Sequence, residues 1–447
     1  MKNRKIRKVH LTVFLFLTLT TLILLCSFSF IVSVRKISSN HALSLSEDMG
    51  EGGKTSWVPD HDNDVLGSKK FDFSFEFLSS ERMVIAPDSH YPRAGDLGAY
   101  HTYEETVDIL KDLNSSHAEL VELVGIGLSY NNRTILAVRI TNESSGLEGK
   151  FEILYTGAHH ARELISTEII LYIMDYVVFN YGVNATITEI LNNSVLCFIP
   201  MVNPDGVADY IEKGEPGWRK NSRPPYGVDI NRNYAYQWGQ AGSSDDESSD
   251  IYRGTAPFSE PETRAIRDFV LSHNFVIAVN YHSGAELVIY PWGYTRSLYP
   301  PPPDIGFFTE IGKTIESMTG YYCQQASYFY LASGTAIDWM YHNKSIIAFT
   351  IEAYCDKSTL LLPDFEAYIW DYFNPPEDLI NTTCQRNLEA ALYMANVAGE
   401  IRASEEKEAE KAWYKETSTI ASIIGVIAIA VVIVTYFTLQ RRVELKK

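Results

Sequence analysis

The chain has 447 residues, 46% of them hydrophobic, and a formal net charge of −18. Its basic residues gather at the two ends, where residues 1–36 carry +7 and 441–447 carry +3, leaving −28 on residues 37–440. So acidic a body excludes nucleic acid as a partner.

Residues 1–8 (MKNRKIRK) are basic, and residues 9–34 hold no charged side chain. That run is longer than the core of a cleaved signal peptide and long enough to cross a bilayer. Residues 1–36 therefore read as an uncleaved, membrane-spanning signal anchor, with a cleaved signal as the alternative. Residues 37–96 are polar and acidic, a lead-in or stalk in which the patch FDFSFEF allows one strand.

From residue 97 to 400 the pattern is that of one folded domain. A helix is expected to begin near Thr102, with acidic residues in its first turn. Strands are expected at 121–128, 134–140, 151–156, 195–202, 275–280, 287–290 and 346–351, and helices at 164–180, 261–272, 303–319 and 336–342. Interleaved in this way, and with several strands apolar throughout, the elements predict a single α/β domain with a mixed, mostly covered sheet flanked by helices. Of the five cysteines, Cys26 falls in the first apolar run and Cys197 reads as a buried thiol. Cys323, Cys355 and Cys384 can supply one disulfide, whose pair the sequence does not choose.

Residues 401–417 are a charged juxtamembrane stalk. They lead into a second uncharged run, 418–440, with Trp413 and Tyr414 before it and RRVELKK after it. Aromatics at one border and basic residues at the other describe a second transmembrane helix, whose tail, 441–447, lies in the cytoplasm. Both termini then face the cytoplasm and the chain between them lies outside. Glycosylation triplets at Asn114, Asn132, Asn142, Asn184, Asn192, Asn343 and Asn381 agree with an external domain.

The chemistry centres on FEILYTGAHHARE, an apolar run that ends in glycine and is followed by His160 and Glu163. Three residues apart on a helical turn, an imidazole and a carboxylate point the same way and can share a cation. A catalytic zinc takes three protein ligands and leaves a fourth position for water, and His282 closes another apolar run, FVIAVNYH. Taken singly, His282 is equally a satisfied core histidine. MVNPDGVADY reads as a turn with no catalytic role. GWRKNSRPPYGVDINRNY gathers Arg219, Asp229, Asn231 and Arg232, which suit capture of a carboxylate or are solvated on a loop. The segment YFYLASGTAIDWMYHN places Tyr330 before a small-residue turn, as a mobile lid or as core packing. Glu352 ends SIIAFTIE, where a buried carboxylate is either a general base or a paired structural group.

In this order HARE, NPDG, WRK, DINRN, YRGTAPFSEPET, YHSG, ASGTAIDW and FTIE resemble the zinc carboxypeptidase family, which contains carboxypeptidases A and B, over roughly residues 98 to 400. The resemblance implies one Zn2+ held by His160, Glu163 and His282. It implies Asp229 as the carboxylate that orients the first histidine, Glu352 as general base and Arg219 as the group that stabilises the oxyanion. It further implies Asn231 and Arg232 as the holders of a peptide's terminal carboxylate, Tyr330 as the residue that closes over it, and Arg162 as a secondary binding arginine. Ile337 matches the floor of the specificity pocket, with Ile289, Gly293, Ala332 and Thr350 at other matched positions. An uncharged lining implies apolar or aromatic C-terminal residues on peptide or protein substrates. Gly284 and Pro216 depart from a family tyrosine and arginine, and so alter the outer subsites. A zinc amidohydrolase of the same fold acting on cell-wall or side-chain-linked peptides is the alternative, and a non-catalytic peptide-binding protein the third reading.

Overall fold

The computed structural model describes residues 100–213, 217–296 and 304–444. The first apolar run, its anchor and signal readings, the lead-in at 37–96, Cys26 and Pro216 lie outside these residues. One compact unit, Ala86–Lys407, is described from Tyr100 onward; residues 408–444 belong to a second unit and are helical.

The first unit opens with helix α1 (Tyr103–Ser116), whose start is fixed by a reciprocal cap. The Thr102 hydroxyl accepts from the Glu105 amide, and the Glu105 carboxylate accepts from the Thr102 amide. Strands β1 (Val121–Leu128), β2 (Thr134–Ile140) and β3 (Phe151–Thr156) follow, then helices α2 (Ile165–Asn180) and α3 (Ala185–Asn193) and strand β4 (Ser194–Ile199). Next come α4 (Pro204–Lys213), α5 (Pro261–Leu271), β5 (Phe275–His282), β6 (Ala285–Tyr290), α6 (Asp304–Thr319), β7 (Tyr322–Gln325) and a short turn, α7 (Ala326–Phe329). The series closes with α8 (Ala336–Lys344), β8 (Ile347–Tyr354), the short α9 (Ile369–Phe373) and α10 (Glu377–Glu444).

The eight strands form one sheet in the order β1-β2-β4-β3-β5-β8-β6-β7. The central four, β4, β3, β5 and β8, are parallel; β1, β2 and β6 bring antiparallel pairings, so the sheet is mixed. Every residue of β4 and β5 is buried, because helices cover both faces and an apolar side chain is stabilised on either side. Alternate residues of β3 show the division. Ile153 and Tyr155 pack into the cluster that holds α2 and the Leu388–Ala398 part of α10, while Leu154 packs with α5 and α8.

Among the described helices, the short α3, α4, α7 and α9 differ from the sequence reading. NPDG is not a turn but the start of α4: Asn203 accepts from the Gly206 amide as a cap, and Pro204 takes the first helical position, where its missing N–H costs nothing. Asn184 likewise caps α3 through the Ile187 amide. The expectation of one disulfide among Cys323, Cys355 and Cys384 is also corrected, while Cys197 is the buried thiol expected. Cys197, Cys323, Cys355 and Cys384 are all free thiols, and Cys197 is buried in β4.

β3 stops where Gly157 lets the chain turn tightly. A Cβ there would lie 2.8 Å from the Ser166 carbonyl oxygen and 2.9 Å from that of Pro200, both backbone atoms that cannot swing away. Gly157→Ala is expected to cost about 1–3 kcal/mol by overpacking, read as a lowered midpoint in urea unfolding; an unchanged midpoint would contradict the close approach.

Residues 408–444 carry an apolar helical stretch, Trp413–Arg442, long and apolar enough to cross a membrane.

Candidate metal and substrate site

Three adjacent parallel strands deliver the site. β3, β5 and β8 lie side by side, and His282 at the end of β5 pairs in register with Glu352 on β8. The turn that leaves β3 carries His160 and Glu163. The carboxyl edge of a parallel sheet is where the covering helices leave a crevice.

His160, Glu163 and His282 converge with their ligand atoms within 4.8 Å of one another, and all three are buried. The Nδ1 atoms of His160 and His282 are 3.1 Å apart. His160 Nδ1 lies 2.8 Å from Glu163 Oε1, and His282 Nδ1 lies 2.8 Å from Glu163 Oε2. Two nitrogens at about 2.0–2.1 Å from a tetrahedral zinc stand about 3.3 Å apart, so this donor set fits that ion. Each imidazole turns its other nitrogen outward: His160 Nε2 stands 3.4 Å from Asp229 Oδ1, and His282 Nε2 stands 3.4 Å from Asn231 Nδ2. Burial first of all lowers the His282 pKa, which favours the neutral imidazole that a metal needs. Burial opposes the Glu163 charge, but His160 and His282 outweigh it and hold the carboxyl well below the usual range.

Asp229 is fully buried and makes the densest set of contacts here. Its Oδ2 accepts from Arg219 Nε at 3.0 Å and lies 2.9 Å from Nη2; its Oδ1 accepts from the Asn231 amide at 3.0 Å. Burial raises its pKa, and the Arg219 and Arg232 charges more than reverse this. Arg219 is thus held against Asp229, with Nη1 4.0 Å from Glu163 Oε1.

One cleft is lined by His160, His282, Asn231, Arg232, Tyr330 and Glu352 and also by Ile289, Ala332, Ile337 and Thr350. Arg232 is oriented by donating from Nε to the Gly242 carbonyl and from Nη1 to that of Asn231, both at 2.8 Å. Asn231 Oδ1 accepts from the Ala336 amide. The Tyr330 ring lies 5.8 Å from the Arg232 guanidinium and is 41% exposed, at the end of α7. Burial first, then the Glu163 charge, pushes the Glu352 carboxyl well above the usual range. Arg162 points elsewhere: Nη1 donates to the Gly217 carbonyl at 2.9 Å, and the guanidinium lies 4.3 Å from the Phe373 ring. Phe373 also fills the place beside Gly284, where a Cβ would be 2.6 Å from its ring.

Two buried residues that the sequence reading left without a role lie against the ligands. His159 stacks on His282 with ring centroids 5.5 Å apart, and its Nε2 is 3.1 Å from the Tyr234 hydroxyl. The doubled histidine was its only signal. Asn203 donates to the His159 and Lys220 carbonyls, tying the ligand turn to the segment that carries Arg219.

A cluster of two imidazoles and a carboxylate at the carboxyl edge of a covered sheet, facing an asparagine–arginine pair, defines a metal-dependent hydrolase. The zinc carboxypeptidase family model matches residues 106–390. A zinc carboxypeptidase of Saccharothrix mutabilis subsp. capreolus is 31% identical over 301 residues, covering 64% of this chain and 67% of the relative. Carboxypeptidase B of Astacus astacus is 32% identical over 272 residues, 58% of this chain and 87% of the relative. Among solved structures, bovine thrombin-activatable fibrinolysis inhibitor in complex with tick carboxypeptidase inhibitor has a TM-score of 0.57 at 28% identity, covering 67% of this chain and 98% of that one. The chain belongs to the zinc carboxypeptidase family and is a metallocarboxypeptidase.

Behind the cleft, Asp338 is buried with its oxygens on the Gly293 amide at 3.0 Å and on the Tyr294 amide at 3.3 Å. Burial pushes its carboxyl up from 3.8 to about 7. Between those values the folded chain keeps a proton that the unfolded chain has released, so this group's contribution to stability falls as pH rises from about 4 to 7. Asp338→Asn is expected to flatten that part of the stability profile, measured by urea unfolding across the window; a slope identical to that of the wild type would contradict it.

Proposed function

We propose that this metallocarboxypeptidase is membrane-anchored, carries its catalytic domain outside the cytoplasm, and removes apolar or aromatic residues from the C-termini of peptides and proteins. The carrying observation is the cleft lining. Ile337, Ile289, Ala332 and Thr350 border it, and Glu352 is the one carboxylate among the described residues that line it; Ile337 is the floor in this reading. Asp338, next in sequence to the floor, faces the backbone of Gly293 rather than the cleft. An apolar side chain gains by leaving water beside Ile289, Ala332 and Ile337, whereas a basic one meets no carboxylate among these residues.

His160, Glu163 and His282 are the ligands in this reading, and zinc held there supplies Lewis-acid polarisation of the scissile carbonyl. Asp229 fixes the orientation of His160 and increases its basicity. Glu352 takes a proton from the attacking water and returns it to the departing amine. Arg219 stabilises the negative oxygen that develops on the carbonyl. Asn231 and Arg232 hold the terminal carboxylate, for which a guanidinium supplies paired donors, and Tyr330 closes over it. Recognition of that free carboxylate makes the activity an exopeptidase. Arg162, engaged with Gly217 and Phe373, acts in an outer subsite.

The apolar stretch Trp413–Arg442 supports anchoring at 418–440, with 401–417 as stalk and 441–447 as cytoplasmic tail. Residues 97–400 are the catalytic domain, preceded by the lead-in at 37–96 and a signal anchor at 1–36.

N-blocked peptides ending in Phe, Leu, Lys or Glu test the reading. Release of Phe and Leu ahead of Lys and Glu is expected, abolished by chelator and restored by zinc. Glu352→Gln should lower kcat by about 10²–10⁴ with KM little changed. Preferred release of Lys or Glu would overturn the pocket assignment, and no release from any free-carboxylate peptide would overturn the exopeptidase. Separately, Ile337→Asp is expected to reverse the preference toward C-terminal Lys and Arg in the same assay; an unaltered order would remove Ile337 from the floor.

A further inference from the structure

We propose that Asn374 is a positioning residue for the metal site, bracketing Glu163 from outside and so setting the affinity of the ligand cluster for zinc. The inference rests on the reading of His160, Glu163 and His282 as ligands.

Asn374 is 1% exposed and stands between α9 and Pro375. Its Oδ1 accepts from the amides of Leu164 at 2.9 Å and Ile165 at 3.3 Å, and its Nδ2 donates to the Arg162 carbonyl at 2.9 Å. The residue enclosed by these three contacts is Glu163. The same hydrogen bonds cap α2, whose Leu164 supplies no side-chain cap of its own. Two amides that a helix start leaves without partners are thus satisfied by a side chain about 210 residues away in sequence.

The bracket is itself held. Asn374 has extended backbone, φ −126 and ψ 120, the conformation that a following proline favours. Its amide donates to the Trp370 carbonyl at 2.9 Å, and its Nδ2 also reaches that oxygen at 3.3 Å. Its neighbours grip the other half of the cluster. The Tyr372 hydroxyl donates to the Gly284 carbonyl at 2.7 Å, and Phe373 packs against Gly284, two residues beyond His282. One short segment therefore braces both the turn that carries Glu163 and the chain that leaves His282, whose side chains meet at 2.8 Å. Groups that orient metal ligands from outside change metal affinity by about 10–100-fold when removed.

The test is zinc competition against a chromophoric chelator on the detergent-solubilised full chain, together with hydrogen exchange over residues 160–168. Asn374→Ala should weaken zinc binding about tenfold and speed exchange at Leu164 and Ile165, with KM for a peptide substrate unchanged. Asn374→Asp keeps the acceptor for both amides, and should recover the exchange protection and most of the zinc affinity. Leu388→Ala, a core truncation in α10, should leave zinc affinity as in the wild type. Equal zinc affinity in wild type and Asn374→Ala, or equal weakening in Leu388→Ala, would overturn the proposal. Failure of the wild type to bind one zinc would instead remove the ligand assignment beneath it.

Discussion

A buried carboxylate with several partners holds this site together. Asp229 has no solvent exposure, and a charge so placed is tolerated only when it is paired and hydrogen-bonded. Arg219 supplies two donors to one oxygen; the Asn231 amide and the outward nitrogen of His160 face the other. Because Asp229, Asn231 and Arg232 share one short turn, the same hydrogen bonds that satisfy the buried charge also fix the asparagine–arginine pair that borders the cleft. The candidate metal cluster and the proposed substrate clamp are thus two sides of one ion-pair network. Loss of Arg219, the nearest opposite charge, would leave the buried carboxylate poorly compensated, at a cost of about 3–5 kcal/mol.

The sheet supplies the rigid frame for that network. In-register pairing of His282 with Glu352 across β5 and β8 sets a ligand beside the proposed base without any loop conformation to maintain. Loops then add what strands cannot. The loop at 242–250 (GSSDDESSD) contributes the Gly242 carbonyl that orients Arg232, and α7 ends in the exposed Tyr330. The segment around Asn374 closes the arrangement from behind. Elements far apart in sequence therefore converge on a few side chains, and the precision of the site depends on tertiary packing as much as on local turns.

Much of this was legible in the sequence because the central strands are apolar throughout and end in polar residues. His160, Glu163, His282 and Glu352 each follow such a run, and a charged group at the end of buried sheet stands out. The mixed sheet was legible from strands alternating with helices. Asn203 and Pro204 misled, since the same two residues serve a turn or a helix start, and only the downstream packing of Val207 and Tyr210 chose the helix. α10 differs more: the sequence reading placed no helix at 377–400 and took 401–417 as a charged stalk, whereas the helix runs from Glu377 to Glu444, in keeping with the preference of Glu, Lys and Ala for helix. Asn374, Phe373 and the free state of Cys323, Cys355 and Cys384 depend on which distant segments meet, and nothing local encodes that.

The dependence of both halves of the site on one carboxylate is most directly measured with Asp229→Asn, which keeps shape and removes charge. Zinc affinity by chelator competition and kcat/KM for a free-carboxylate peptide should each fall, the first by about 10–100-fold. Wild-type values for both would contradict the account, since they would show that His160 and Arg219 hold their places without the Asp229 charge.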